Sequence, residues 1–262
     1  MQNHLRRVSS WIIAVVLFFL LTGSSFGQSK TTTPRELVFA VLPFENTIVM
    51  AKIFFPLTKY LEKRCNIKMR FVTAPTWDSF MERLVSGQYD IVYANPYHYI
   101  KAHKAFGYMP LVKVTGAPFT GILLVRKDSN IKTIKDLAGK TIAFPHRDAW
   151  AAYWLVKNHL LKKGFDMDKE CNVVFVESHK RSILACYRGL ADAAATWRPL
   201  RLINKDVTDA LTILLETEPH PNMPVFVSPK ISNDLSLKIK DALLQLHAND
   251  EGREILKNLH HH

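Results

Sequence analysis

The segment from residue 173 to residue 197 constrains the fold more than any other part of the chain. Residues 173–176 are an apolar, β-branched run, and residues 192–196, with three central alanines, predict a second buried strand. Between the two runs, apolar side chains recur at the spacing of one helix face, at Ile183, Leu184 and Tyr187. A strand, a crossover helix and a second strand are the unit of parallel sheets. Strand-like and helix-like segments alternate in the same way elsewhere in the chain. The sequence therefore predicts an α/β protein with parallel-rich sheets covered by helices.

Residues suited to a ligand follow the predicted strands where each one ends. Glu177, Ser178 and His179 follow the run at 173–176, and the apolar run at 90–94 leads into residues 95–99, which read Asn-Pro-Tyr-His-Tyr. In parallel α/β sheets, ligands collect at the carboxyl ends of the strands, where helix N–H groups point. Two separated copies of one arrangement predict two lobes that face a shared cleft.

Three local features of the predicted elements can be checked directly. A helix is expected from residue 47 to about 64, and Pro56 should interrupt it and begin a second segment, because proline lacks an N–H. A strand is expected at residues 111–114, and a helix at about 149–161. The crossovers between the lobes are expected near Pro118 and in the proline-rich turn at residues 219–224.

The first 27 residues have the pattern of a secretory signal peptide. A basic start with His4, Arg6 and Arg7 precedes the eleven-residue apolar run at residues 11–21, and small residues at 25 and 27 suit a cleavage site. Eleven residues span a bilayer poorly, so we expect cleavage near Gly27 and a periplasmic protein, with an uncleaved anchor as the alternative. A polar linker at residues 28–35 follows, and residues 260–262 have the form of a clipped purification tag.

Composition and motifs exclude several functional classes. The formal net charge is +12, but Lys and Arg are scattered, which argues against a nucleic-acid partner. No H-E-x-x-H, G-x-S-x-G or glycine-rich phosphate loop occurs, so we expect no catalysis, no cofactor and no metal site. An exported chain makes disulfides relevant, and a bond between Cys171 and Cys186 is one alternative, with free thiols as the other.

Several short motifs resemble the solute-binding proteins of ABC importers of the phosphate/phosphite/phosphonate type. They lie in one order along nearly the whole chain. These are Phe55-Pro56-Leu57 with Tyr60-Leu61, Ser86-Gly87-Gln88 with Asp90-Ile91, Asn95-Pro96 with Tyr99, the segment Ile134 to Lys140 (IKDLAGK), Ser178-His179, Gly189 with Asp192-Ala193, and Pro221-Asn222.

The resemblance implies the two-lobed, type II periplasmic binding protein fold with a ligand cleft between the lobes. We place the first lobe at residues 36–117 and 222–259 and the second at residues 118–221. The implied protein is a monomer that captures a small solute and presents it to a membrane permease. Tyr99 and His179 match family ligand positions.

The ligand pocket departs from the family's pattern at three positions. Where phosphonate binders open a helix with Ser or Thr hydroxyls, this chain has Ala149-Trp150-Ala151-Ala152. A family aspartate falls on Trp197, and Phe44 lacks the phenol of a family aromatic. We therefore expect an aromatic pocket that suits either a phosphorus oxyanion or a more aromatic or apolar solute. The candidate ligand-binding residues are Phe44, Glu45, Trp77, Tyr97, Tyr99, Phe119, Arg147, Trp150, Ser178, His179, Trp197 and Arg198.

Two other functions remain compatible with the sequence. The closed protein could dock on a receptor or histidine kinase as a sensory module instead of on a permease. Small residues in the cleft, such as Ala149 and Ala152, would also suit a carrier of lipids or other apolar ligands.

Overall fold

The computed structural model describes residues 36–116, 118–197 and 205–260, whose strands form two five-stranded sheets. The first sheet has the order β2-β1-β3-β10-β4 and the second has the order β7-β6-β8-β5-β9. The strands are β1 (Leu37–Val41), β2 (Met69–Val72), β3 (Ile91–Tyr93), β4 (Met109–Lys113), β5 (Gly121–Arg126), β6 (Thr141–Phe144), β7 (Asn172–Phe175), β8 (Ala193–Trp197), β9 (Leu211–Glu216) and β10 (Pro224–Val227).

Helices follow most of the strands. They are α1 (Thr47–Cys65), α2 (Trp77–Val85), α3 (Pro96–Phe106), α4 (Val156–Lys162), α5 (Met167–Glu170), α6 (His179–Tyr187), α7 (Lys205–Ala210), α8 (Asn233–Leu244) and α9 (Asp250–His260). A π-helical segment, Trp150–Leu155, runs directly into α4. Short 3₁₀ turns lie at Ile134–Leu137 and Leu246–Ala248.

Both sheets are mixed in the same way. In the first sheet β1 pairs in parallel with β2 and β3, and β10 runs antiparallel to β3 and β4. In the second sheet β6 pairs in parallel with β7 and β8, and β5 runs antiparallel to β8 and β9. The predicted α/β class with two helix-covered sheets is confirmed.

The central strands are buried on both faces, and their side chains alternate between two hydrophobic clusters. In β1, Phe39 packs towards α1, whereas Ala40 faces the other side. In β5, Leu123 joins the same cluster as Ala40, and Leu124 joins a cluster on the opposite face of the second sheet. One apolar cluster therefore continues from the first sheet to the second, and the two lobes are packed against each other.

Two crossover segments connect the sheets and run beside each other. The Val114 N–H donates to Met223 O at 3.0 Å, and the His220 N–H donates to Phe119 O at 3.1 Å. Because both crossovers reach the space between the sheets, they bring Phe119 and Met223 to the same place.

One of the local expectations was wrong, and one expected strand has different bounds. Helix α1 continues through Pro56, because the apolar face formed by Phe54, Leu57 and Leu61 is buried on both sides of the proline, and this packing outweighs one lost hydrogen bond. Strand β4 begins at Met109 and includes Pro110, which an edge strand tolerates.

The disulfide alternative for Cys171 and Cys186 is not realised, since both are free thiols. Cys171 packs with the cluster that joins the two sheets, whereas Cys186 packs with the cluster on the opposite face of the second sheet. The sheet itself separates them.

Within the described residues, no helix combines the length and apolarity needed to cross a membrane. The predicted signal peptide, the linker and the last two residues of the tag lie outside the described residues.

Candidate functional site

A small cavity lies between the two sheets, at the carboxyl ends of their strands. Its volume is about 30 Å³. It is lined by Leu42, Phe44, Trp77, Asn95, Phe119, Ala149, Trp150, Ala151, Ala152, His179, Trp197 and Met223. Both lobes and both crossovers contribute to this wall, and none of the described side chains that line it is charged.

The volume limits what the closed cleft can hold. A cavity of about 10–15 Å³ holds one water molecule, and an engineered cavity of about 150 Å³ holds benzene. A cavity of about 30 Å³ therefore suits a group of a few heavy atoms and is too small for an aromatic ring.

The backbone around Gly121 fixes the wall formed by the π-helical segment. A Cβ atom at Gly121 would lie 2.1 Å from Ala151 O. Only glycine allows this close approach, which seats the start of the helix against β5 and brings Ala151 and Ala152 to the cavity.

Most helices that begin beside the cleft are capped by their own side chains. Thr76 Oγ1 accepts from Ser79 N at the start of α2, Asn95 Oδ1 accepts from His98 N at the start of α3, and Ser178 Oγ accepts from Arg181 N at the start of α6. The helical run of residues 150–162 differs, because Ala149 at its N-cap position makes no side-chain hydrogen bond. The first N–H groups of this helix are left for another acceptor.

Two of the residues that line the cavity carry a buried indole N–H without a hydrogen-bond partner. Trp77 Nε1 and Trp150 Nε1 are both buried and unpaired, and both residues line the cavity. Trp77 is 3% exposed. A buried donor without an acceptor costs about 1–3 kcal/mol of free energy.

His98 and His179 lie on either side of Trp77, with ring centroids 5.7 Å and 6.1 Å from that of Trp77. Burial lowers the pKa of His179 from 6.5 to about 3, and burial together with the neighbouring His146 lowers the pKa of His98 to about 3. Both rings are therefore neutral at neutral pH. The Nδ1 of His179 pairs with Thr196 Oγ1 at 3.0 Å, which leaves Nε2 for a ligand.

Within the part of the chain that the structure describes, few polar contacts join the two lobes around the cavity. Asn95 Nδ2 donates to Asp148 O at 3.0 Å, and His146 Nε2 lies 3.4 Å from Asp78 Oδ1. The rings of Trp77 and His146 stack with centroids 5.2 Å apart. The lobes thus meet mainly through aromatic surfaces, and one amide hydrogen bond fixes their register.

Asp78, His146 and Asp148 bring potential metal-ligand atoms within 4.8 Å of one another. Ligand atoms of one tetrahedral zinc ion, with bonds of about 2.0–2.1 Å, lie roughly 3.4 Å apart, so the set is wider than a preformed site. The Asp148 N–H also donates to His146 Nδ1 at 3.1 Å, and burial raises the pKa of the Asp148 carboxyl.

The structure brings half of the predicted site residues together. Those that line the cavity are Phe44, Trp77, Phe119, Trp150, His179 and Trp197. Phe119 and Trp197 meet edge to face with centroids 5.4 Å apart.

The other predicted residues do not line the cavity. Tyr97 stacks on Trp154 with ring centroids 5.6 Å apart, and Tyr99 packs against Phe226.

Of the remaining residues, Ser178 caps α6, Glu45 is half-buried beside Phe44, and Arg147 is exposed above the Phe175 ring. Arg198 lies outside the described residues.

Sequence reasoning omitted Asn95, Leu42 and Met223 from the site. The Asn95-Pro96 pair directly after a strand was a usable signal, since asparagine before proline is a strong helix start. Leu42 and Met223 carried no signal, because only the folded chain brings these apolar residues to the cavity.

Known proteins resemble this chain in sequence and in fold. The sequence model of the family described as "ABC transporter, phosphonate, periplasmic substrate-binding protein" matches residues 39–262. The phosphate-import protein PhnD of Mycolicibacterium smegmatis is 30% identical over 208 residues, which are 73% of this chain and 65%, less than two thirds, of that protein.

Two solved structures share the fold at low sequence identity. The binding protein component of an ABC phosphonate transporter from Pseudomonas aeruginosa has a TM-score of 0.75 and 18% identity, over 87% of this chain and 80% of its own. PhnD1 from Prochlorococcus marinus, in complex with methylphosphonate, has a TM-score of 0.75 and 17% identity. The match covers 86% of this chain and 90% of PhnD1. The fold is that of a type II periplasmic binding protein. The family match covers most of the chain, and the chain belongs to the periplasmic substrate-binding proteins of phosphonate ABC transporters.

Proposed function

We propose that this chain is the exported solute-binding component of an ABC importer and captures a small phosphorus oxyanion by closure of its cleft. The observation that carries the proposal is the cavity of about 30 Å³, which lies between the sheets beside the uncapped helix start at Ala149. Helix N-termini bind anions because their N–H groups and dipole favour negative charge.

Cavity size supports an oxyanion over the other solutes that the sequence allows. Phosphite, methylphosphonate and phosphate each have about four or five heavy atoms, whereas an aromatic acid or a lipid chain needs several times the available volume. The relative from Prochlorococcus marinus was solved with methylphosphonate, which belongs to this size class.

Closure requires that the two lobes separate and meet again. The paired crossovers at Val114–Met223 and Phe119–His220 are the hinge in this proposal, since hinge bending occurs at a few residues that connect rigid sheets. The polar contacts across the cleft are few, so the bound solute supplies part of the energy that holds the lobes together.

The remaining parts of the proposal concern location and partners. The signal peptide is removed near Gly27, the mature chain acts in the periplasm without catalysing a reaction, and the closed form docks on a membrane permease. The periplasmic description of the family supports this assignment.

Ligand-dependent stability provides the test. Residues 28–262 are unfolded thermally with phosphite, methylphosphonate, phosphate, sulfate and benzoate, each up to millimolar concentration. A phosphorus oxyanion at 100 times its Kd stabilises the protein by about 2.7 kcal/mol, and benzoate does not. Stabilisation by benzoate alone, or by none of the phosphorus compounds, would refute the proposal.

A cavity-filling variant and a matched control locate the effect. Ala152→Leu fills the cavity wall and is expected to abolish the stabilisation, because Ala152 is fully buried there. Ala185→Leu adds the same atoms on α6, outside the cavity lining, and should leave ligand binding unchanged.

A further inference from the structure

We propose that Tyr97 and Trp154 form a latch that holds the two lobes together without touching the solute. Tyr97 lies in the first lobe and Trp154 in the second, and their rings stack with centroids 5.6 Å apart and planes 18° apart. Neither residue lines the cavity. The two are positioning residues, which set how long the cleft stays closed and leave the choice of solute to the cavity. The inference rests on the proposed function for its binding readout, whereas closure is measured without a solute.

The latch lies beside the cavity because its two rings belong to helix starts that form the wall. Tyr97 follows Asn95 by two residues at the start of α3, and Asn95 lines the cavity. Trp154 lies one turn after Trp150, which lines the cavity from the second lobe. The Asn95 Nδ2 donates to Asp148 O at 3.0 Å and joins the same two helix starts. Separation of the lobes would therefore break the stack and the amide hydrogen bond together.

Each ring of the latch is held in place by its own lobe. Lys101 Nζ lies 5.4 Å from the centroid of the Tyr97 ring, and Lys157 Nζ lies 5.9 Å from that of the Trp154 ring. Each lysine belongs to the same helical run as the ring that it contacts, so these cation–π contacts persist when the lobes separate. Rings that are oriented in advance lose less conformational entropy when they stack. The open protein is therefore prepared for closure.

Among the described residues, this stack is the one interlobe ring contact that avoids the cavity. Three ring pairs cross from the first lobe to the second, and two of them include Trp77. Trp77 lines the cavity, so a substitution there also alters the solute site. The stack of Tyr97 on Trp154 contributes the same free energy to the closed form whichever solute is bound, and also when none is bound.

Truncation of Tyr97 tests the latch in the protein without solute. Small-angle scattering of residues 28–262 measures the radius of gyration. Tyr97→Ala is expected to increase this radius, because the closed form loses a contact that the open form does not have. Tyr97→Phe keeps the ring and should retain the radius of the unsubstituted protein. Tyr99→Ala is the matched control, since it removes a ring from the same helix whose contact with Phe226 lies inside the first lobe.

Dissociation kinetics provide the second readout. Release of methylphosphonate is followed by stopped flow for the unsubstituted protein, Tyr97→Ala, Trp154→Ala and the double variant. Each single substitution is expected to raise the dissociation rate constant by about 2- to 10-fold, because one aromatic pair across the cleft is lost. The double variant should be no faster than either single variant, since the second substitution removes no further contact between the lobes. The Kd values for phosphite and phosphate should rise by the same factor.

The outcomes separate this inference from the proposed function. An unchanged radius in Tyr97→Ala, an equal increase in Tyr99→Ala, or rate effects that multiply in the double variant would overturn the latch and leave the solute-binding function standing. A changed ratio of the Kd values for phosphite and phosphate would mean that the rings contact the solute, which also overturns it. If none of the anions binds, the proposed function fails, and the scattering comparison decides the latch.

Discussion

The two lobes present different helix starts to the cleft. In the first lobe, Thr76 and Asn95 precede α2 and α3, and each side chain accepts one first-turn N–H, from Ser79 and His98 respectively. In the second lobe, α6 is capped by Ser178, but the helix at Ala149 has no side-chain cap. A side-chain cap occupies one of the first-turn N–H groups that could otherwise donate to an anion. Under the proposed function, the helix start in the second lobe is the one left to bind the charge of the anion.

The scaffold behind these helix starts is nearly the same in both lobes. Asp90 Oδ2 accepts from Val38 N at 2.9 Å beside β3, and Asp192 Oδ2 accepts from Thr141 N at 2.8 Å beside β8. Each carboxylate ties the start of one central strand to its parallel neighbour. The lobes therefore share a way of aligning strands and differ at the opposite ends, where the ligand would lie.

Acid should destabilise the protein through one buried histidine in each lobe. The folded pKa of His98 and of His179 is about 3, so folding keeps both rings neutral, whereas the unfolded chain protonates them below about pH 6.5. This stability is fully present above pH 6.5 and is lost as the pH falls towards 3, by about 1.4 kcal/mol per pH unit for each histidine. Urea unfolding at pH 7.5 and at pH 5 measures this loss of unfolding free energy.

Variants assign the pH effect to each lobe. The two histidines together produce the expected pH dependence of the unfolding free energy. Each of the variants His98→Asn and His179→Asn should remove about half of it. The exposed His247→Gln is the control and should leave it unchanged. Equal pH profiles for all four proteins would contradict the burial argument.

Gly121→Ala should damage the second lobe alone. The new Cβ meets Ala151 O at 2.1 Å and displaces the uncapped helix start, which costs about 1–3 kcal/mol of unfolding free energy. Oxyanion affinity should fall together with stability. Gly139→Ala is a contrasting control, because its Cβ meets no atom within 4 Å and only its left-handed backbone resists the change. A Gly121→Ala protein that keeps its oxyanion affinity would show that the helix position does not matter.

Asn95→Ala should affect the first lobe and its contact with the second. It removes the cap of α3 and the hydrogen bond to Asp148 O, so we expect a loss of about 1–2 kcal/mol in unfolding free energy. Ser178→Ala removes a cap without an interlobe contact and should cost about 1 kcal/mol. If closure measured by small-angle scattering is equally weakened in both variants, the interlobe role of Asn95 is excluded.

The smallest expected effect concerns the pair formed by Asp78 and His146. Asp78 is 82% exposed, so Asp78→Asn should change the unfolding free energy by less than about 1 kcal/mol, and the change should shrink further at high salt. Calorimetric unfolding at low and high salt measures both values. A change of several kcal/mol would mean that this pair, rather than the aromatic surfaces, holds the lobes together.

Sequence periodicity was sufficient for most elements but not for those that depend on burial. The runs that became β3 and β8 predicted strands because both faces of these strands are buried. Pro56 was misinterpreted because a local rule about a missing N–H cannot weigh the packing of a whole helix face. The short helices α5 and α7 were missed, since four to six residues carry no helical period.

The sequence by itself determined the α/β class, the two lobes and the aromatic character of the cleft, because apolar spacing and strand-end residues are local properties. Only the tertiary structure decided which aromatic residues meet. Phe44, Trp77, Trp150 and Trp197 surround one cavity, while Tyr97 and Tyr99 turn to other neighbours on α3. The cavity volume and the unpaired indole N–H groups depend on how the two lobes pack against each other. No local sequence pattern encodes that packing, because the residues involved are far apart in the chain.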